Sequence, residues 1–227
     1  DLSKPAQCGR IIRRLKPAAV INAAAYTDVD GAEQDEVLAT VINGDAPAAM
    51  ALACAQMGVP FVQISTDYVF DGAGSTGFAP DHKTCPLGAY GRSKRVGERG
   101  VVAAGGTYAI LRTAWVFSRY GTNFLKTMLR LSETREQLSI VNDQIGGPTP
   151  AVALAEACHA MAVGLASGSG RVGIYHFSGT PEVSWADFAA EIFAQSGRQV
   201  TTTGIPSQEY PTPAKRPLNS RLNCDSL

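Results

Sequence analysis

A hydroxyl, a phenol and an ammonium stand at Thr66, Tyr90 and Lys94, a set of groups able to hold a carbonyl oxygen and hand it a proton. Tyr90 and Lys94 are four residues apart, which on a helix puts both side chains on one face, close enough for the cation to act on the phenol. An unperturbed tyrosine has a pKa of about 10 and is a poor acid at neutral pH. A nearby positive charge favours the phenolate and eases proton transfer to a carbonyl oxygen. Such a pair also occurs on ordinary solvent-facing helices, so its meaning depends on the elements that position it.

Those elements read as alternating strands and helices. Phe61 to Ser65 is an apolar run of strand length, followed by the polar Thr66-Asp67-Tyr68 and a turn at Asp71-Gly72. In open α/β sheets ligands bind beyond the carboxyl ends of the strands, which predicts Thr66 in a crevice with Asp67 beside it. A proline-containing loop, Thr84-Cys85-Pro86-Leu87, leads into a helix from Ala89, and Gly72 to Pro86 reads as a lid or a substrate scaffold. Upstream, a short helix through Ile11, Ile12 and Leu15 stops before Pro17, and Ala18 to Ala25 reads as a buried strand. Its end, Ala23-Ala24-Ala25-Tyr26-Thr27, offers small residues to a ligand; Ala24 and Ala25 are the better candidates, whereas Ala23 is expected to pack a helix on the sheet.

Asp28 and Asp30 are expected to cap the next helix. A second helix runs from about Asp45 to Met57 and stops at Gly58; it has apolar Ala48, Ala49, Leu52, Ala53 and Ala55, and Asn43 is expected to hydrogen-bond across its start. Tyr108 to Thr113 is a further buried strand that delivers Trp115 to the same crevice. A helix from Asn123-Phe124 to Leu131, a strand Gln137 to Val141, a turn into a helix Ala151 to Leu165, a strand Ile174 to Phe177 and a helix Ser184 to Ser196 follow. The extended stretch Tyr210 to Leu222 carries Arg216 and Arg221, whose guanidinium groups suit phosphate oxygens.

Composition bounds the function classes. The 227 residues are 45% hydrophobic, enough to bury a core in one or two domains. Twenty basic residues balance 20 acidic ones, leaving no net attraction to nucleic acid or an anionic membrane. The cysteines, Cys8, Cys54, Cys85, Cys158 and Cys224, are odd in number and scattered, which suits reduced thiols in a cytoplasm. No apolar run in the sequence approaches the ~20 residues that span a bilayer, and no leader pattern opens it, so no membrane partner is expected. His82, His159 and His176 have no partners at metal-ligand spacing, so no metal site is expected.

The strings Ser65-Thr66-Asp67-Tyr68-Val69-Phe70-Asp71-Gly72 and Tyr90-Gly91-Arg92-Ser93-Lys94 resemble the extended short-chain dehydrogenase/reductases, and within them the dTDP-4-dehydrorhamnose reductases. Arg112-Thr113-x-Trp115-Val116, Asp143-Gln144-x-Gly146-x-Pro148-Thr149 and Arg216-Pro217-x-Asn219-Ser220-Arg221-Leu222 carry the likeness along the chain. The resemblance implies an α/β fold: a Rossmann-type doubly wound parallel sheet, incomplete at its N-terminus, over residues 1–132. A smaller C-terminal substrate-binding domain is implied over 133–227, with the helix 151–165 packing back on the sheet. It implies Thr66, Tyr90 and Lys94 as the catalytic triad. Cofactor contacts are implied for Asp1, Leu2, Ala24, Ala25, Tyr26, Thr27, Tyr90 and Lys94, and substrate contacts for Thr66, Asp67, Trp115, Arg216 and Arg221.

The reaction implied is reduction by NADPH, with NADH the other candidate, of the C4 carbonyl of dTDP-4-dehydro-L-rhamnose to dTDP-L-rhamnose. Another 4-keto nucleotide sugar fits the same chemistry. From a different class, a non-catalytic cofactor-binding subunit resembling the β subunit of methionine adenosyltransferase is the alternative. Some family members dimerise around a magnesium ion held by glutamates, one of them early in the helix after the Pro-Thr turn. Here Pro150-Ala151-Val152-Ala153 stands at that place, so bridging Mg²⁺ is not expected and a monomer or homodimer remains. The glycine-rich strand-turn-helix that opens such a sheet is not present ahead of Asp1. A longer native polypeptide is therefore expected, with roughly forty residues before Asp1, a size that fits a βαβ unit, and one further helix after Leu227.

Overall fold

The computed structural model describes residues 1–227. Helix α1 (Pro5–Leu15) starts with proline in its first turn, where the missing N–H is no loss, and closes at Lys16 ahead of Pro17. Strand β1 (Val20–Asn22) is shorter and less buried than the expected Ala18 to Ala25, because it pairs on one side only and leaves Ile21 41% exposed. Helix α2 (Val29–Gln34) is capped by Asp28, which accepts from the Gly31 N–H, and α3 (Glu36–Thr40) by Asp35, which accepts from Leu38. A π turn over Val41–Asp45 joins α3 to α4 (Ala46–Met57), which ends at Gly58 in the left-handed region.

The continuous helical run Glu36–Met57 is, by length and composition, long and apolar enough to cross a membrane, which the sequence reading did not expect; half of it is buried in the protein interior. It buries Met50, Ala51, Ala53 and Cys54, while the apolar Leu52 is exposed. Helix α4 is apolar on every side, so its composition does not fix which side faces inward.

The chain continues through β2 (Phe61–Thr66), α5 (Ala89–Ala104), β3 (Tyr108–Thr113), β4 (Val116–Phe117), α6 (Phe124–Leu131), β5 (Gln137–Val141), β6 (Ile145–Gly146) and β7 (Thr149–Pro150). It ends through α7 (Ala151–Ser167), β8 (Gly173–His176), β9 (Val183–Ser184), α8 (Trp185–Ser196), β10 (Thr201–Ile205) and β11 (Asn219–Ser220). The central sheet has the order β1-β2-β3-β8, and every pair is parallel. Alternate side chains leave its two faces. Phe61 and Ile110 pack with Cys8, Ile12, Met50, Cys54 and Val101 beneath α1, α4 and α5. Val62, Ala109 and Leu111 pack with Leu154, Cys158, Ala162 and Leu165 of α7 on the other face. Covering both faces is what buries β2 and β3 along nearly their whole length.

A second core joins α6, β5 and α8 through Met128, Leu138, Ile140, Phe188, Ile192 and Phe193, and β10 pairs in parallel with β5 at its edge. The Gly72 to Pro86 stretch is pinned rather than free to swing. Phe78 bridges to Leu222, stacks on Phe70 at 4.4 Å, and the Pro80 carbonyl accepts from Arg112 at 2.9 Å. These ties speak against a lid that swings, and none of the stretch's residues lines the cleft described below.

Candidate active site

The carboxyl ends of β1, β2 and β3 open into a cleft of about 840 Å³. Thr66, Asp67, Tyr90, Lys94, Ala25, Thr27, Trp115 and Arg216, all singled out in the sequence, line it together. Thr66 is the last residue of β2; its hydroxyl donates to Asp67 Oδ1 at 3.1 Å and accepts from the Tyr68 N–H at 3.2 Å. Tyr90 and Lys94 come from the first two turns of α5, as their spacing predicts. The Tyr68 ring meets Tyr90 edge to face at 5.6 Å.

Burial dominates the electrostatics here. It pushes the Tyr90 phenol up to about 12, against a smaller opposing effect of the Thr66 hydroxyl and with a further raise from the Asp67 carboxylate. Lys94 is not among the groups that move Tyr90, which corrects the expectation that its charge lowers the phenol's pKa. The Lys94 ammonium donates to the Ile64 carbonyl at 2.7 Å. Desolvation brings Lys94 itself down to about 8, partly offset by Glu98. Asp67 rises to about 6 because it is buried, despite hydroxyl and backbone donors that favour its ionised form.

The cleft fits a nicotinamide cofactor on two counts. Ile21, Ala23, Ala25, Ile64, Leu154 and Cys158 give it an apolar wall, with the small Ala23 and Ala25 just beyond the end of β1. Lys94 spends one of its three donors on Ile64, which leaves others for ribose hydroxyls. Ala23 belongs to this wall and not to helix packing, contrary to expectation; it is Ala24 that faces solvent without lining the cleft. Tyr26 touches the site through its backbone only in the sense that Asn43 fixes it: Asn43 Oδ1 accepts from Tyr26 N at 2.8 Å, and Asn43 Nδ2 donates to Tyr26 O and to Ser93 Oγ, each at 3.0 Å. Asn43 thus ties the β1 loop to α5 and does not hydrogen-bond across the start of α4. Asp1 and Leu2 lie outside this cleft. The Asp1 carboxylate accepts from Ser3, and Leu2 packs on the core under α1.

Asp30, read as a cap, is instead the partner of Arg216, which it holds through two contacts of 2.8 and 2.7 Å. The other predicted arginine, Arg221, does not join the cleft-lining residues; it pairs with Glu182 at 3.1 Å and with Asn219. Trp115 takes a left-handed backbone (φ 50°), a conformation uncommon for a bulky residue. Its ring stacks on Trp185 at 3.5 Å, and Gly146 lies so close beneath it that a Cβ there would fall 2.8 Å from the indole. Trp185 Nε1 donates to Gln144 Oε1 at 3.1 Å, so the aromatic wall is locked at both ends. Trp185 and Thr113 line the cleft and were not singled out; Thr113 was legible as the residue that ends a buried strand.

A hydroxyl, a phenol and a buried ammonium at the carboxyl edge of a parallel α/β sheet, next to an apolar slot, define a nicotinamide-dependent carbonyl reductase. The family model described as the RmlD substrate binding domain matches residues 1–227. A dTDP-4-dehydrorhamnose reductase of Sinorhizobium fredii is 45% identical, with all of this chain and 79% of the relative covered. A crystal structure of dTDP-4-dehydrorhamnose reductase from Bacillus anthracis in complex with NADP superposes with a TM-score of 0.94 at 36% identity, covering 100% of this chain and 79% of that one. An orthologous reductase from Clostridium acetobutylicum gives 0.92 at 38%, covering 99% and 78%. The chain belongs to the dTDP-4-dehydrorhamnose reductase family.

Proposed function

We propose that this protein reduces the C4 carbonyl of dTDP-4-dehydro-L-rhamnose to the alcohol of dTDP-L-rhamnose, using NADPH. The observation that carries the reading is the meeting of Thr66, Tyr90 and Lys94 in one cleft of a chain from this family. Bound NADPH supplies the hydride. The protein's own residues manage the oxygen: Thr66 donates a hydrogen bond to the carbonyl, which polarises it. Tyr90, kept protonated at neutral pH by burial, gives its proton to that oxygen as negative charge develops on it. Lys94, still cationic at neutral pH with its pKa at about 8, holds the ribose hydroxyls with the donors that Ile64 leaves free.

The nucleotide end of the substrate has a place as well. Arg216, Tyr68, Phe124 and Trp185 are shared between the catalytic cleft and a neighbouring cavity of about 420 Å³ lined by Met128, Leu138, Ile140, Gln144 and Tyr210. Arg216 is held by Asp30 without exhausting its five donors, so it takes the diphosphate while the nucleoside enters the second cavity. In this arrangement the sheet half receives the cofactor and the half built on α6, β5 and α8 receives the substrate. The first turn of α7 carries no acidic residue, in keeping with the reading of a monomer or a homodimer without bridging magnesium.

The test is to follow loss of nicotinamide absorbance when the protein meets NADPH and dTDP-4-dehydro-L-rhamnose, and to identify the product by mass and NMR. Turnover to the rhamnose nucleotide is expected. NADPH binding without turnover of any 4-keto dTDP-sugar would favour the non-catalytic partner role instead.

A further inference from the structure

Two buried polar atoms of residues that line the catalytic cleft make no hydrogen bond of good geometry within the protein: Thr113 Oγ1 and Asp67 Oδ2, the Asp67 carboxylate having the Ser220 hydroxyl close by. Thr113 is 5% exposed and Asp67 3%, and both line the cleft with Thr66 and Tyr90. Buried donors and acceptors are nearly always paired, and leaving one unpaired costs stability unless a ligand meets it. Thr113 is the register partner of Thr66 in the β2–β3 ladder. The two threonines therefore end adjacent strands side by side, roughly 4.8 Å apart across the ladder, with Asp67 next along the chain from Thr66.

Hydrogen bonds of about 2.7–2.8 Å from each hydroxyl would span the oxygens on two adjacent carbons of a sugar ring. We propose that Thr113 is a specificity residue whose hydroxyl, together with Asp67 Oδ2, binds the sugar hydroxyl on the carbon next to the carbonyl that Thr66 and Tyr90 hold. This rests on the reductase reading above. The sugar O–H donates to the Asp67 carboxylate oxygen and accepts from Thr113, which satisfies both atoms at once. In a 4-keto-6-deoxy sugar the other neighbour, C5, carries a methyl group and the ring oxygen, so the hydroxyl read is the one on C3. The subsite thus selects 4-keto sugars that keep a free C3 hydroxyl.

Thr113→Val keeps the side-chain shape and removes the unpaired hydroxyl; Thr113→Ser keeps the hydroxyl. Melting temperature without ligands, and kcat and KM for the 4-keto-6-deoxy dTDP-sugar with and without its C3 hydroxyl, are measured for both variants and wild type. Thr113→Val is expected to melt roughly 2–4 °C higher than wild type. Its KM for the hydroxylated substrate should rise roughly tenfold, and its preference over the 3-deoxy analogue should shrink by the same factor. Thr113→Ser should retain that preference. A purely structural threonine would give the opposite sign in the melt, so a Thr113→Val protein that melts lower or fails to fold overturns the proposal. An unchanged substrate preference overturns it too. Wild-type protein that turns over neither sugar would fail the reductase reading itself, a result visible before any variant is compared.

Discussion

Asp67 has a pH signature that separates it from every other group in the cleft. Burial raises its pKa to about 6, so the fold favours the neutral acid. That contribution is complete below the unfolded value of about 3.9 and is lost as pH rises through about 6, leaving an ionised carboxylate that costs on the order of 3 kcal/mol above that window. Asp67→Asn should therefore be more stable than wild type at pH 8, with the gap closing towards pH 4, as read by thermal melts across that range. An equal gap at both ends would show that the carboxylate's burial is not what matters. At Lys94 the sign is reversed, since burial lowers this cation's pKa to about 8. Lys94→Met removes a buried charge that has only the Ile64 carbonyl as a hydrogen-bond partner, so the melting temperature should hold while the Kd for NADPH rises roughly tenfold or more. Unchanged NADPH affinity in a titration would take Lys94 out of the cofactor site.

Between elements, the strongest tie is the ion pair of Glu98 on α5 with Arg112 on β3, two contacts of 2.8 Å between side chains only 6% and 2% exposed. Ser65 donates to the same carboxylate at 2.6 Å, so the pair joins α5, which carries Tyr90 and Lys94, to the end of β2, which carries Thr66. Arg112 also reaches the Pro80 carbonyl, and His176 lies 3.4 Å away, held neutral with its pKa lowered to about 4 by burial and by the arginine. Glu98→Ala would strand a buried guanidinium and cost about 3–5 kcal/mol, a drop in melting temperature on the order of 10 °C. By contrast Glu36→Ala removes the partner of Arg92 in a pair more than 40% exposed on each side, and should cost under about 1 kcal/mol. Melts of the two variants decide the ranking; equal losses would contradict it. Helix starts were readable in the sequence because a cap is local: Asp28, Asn123 and Ser184 each accept from a backbone N–H three residues on. Asp30 looked like another cap, and its true partner, Arg216, lies 186 residues away, a pairing that no local pattern encodes.

Across the whole molecule, the order of strands and helices was legible because central parallel strands are short apolar runs bounded by turns, and their carboxyl ends locate the crevice. The meeting of Thr66, Tyr90 and Lys94 in one cleft was legible for the same reason, one residue at a strand end and two at helical spacing. What escaped the sequence depends on tertiary direction. The Lys94 ammonium donates to the Ile64 carbonyl, and Trp185 lines the cleft stacked on Trp115, which has a left-handed backbone. Neither fact has a sequence period. The β8 strand likewise completes the sheet beside β3 from a position after α7, within the stretch assigned by sequence mainly to substrate binding. The proposed mechanism turns on one proton, the one that Tyr90 would deliver to the reduced carbonyl. Turnover of Tyr90→Phe, measured beside its NADPH affinity and melting temperature, tests that claim most directly. The account predicts kcat about 10²- to 10⁴-fold lower with cofactor binding and stability essentially unchanged; near wild-type turnover in the Phe variant would contradict it.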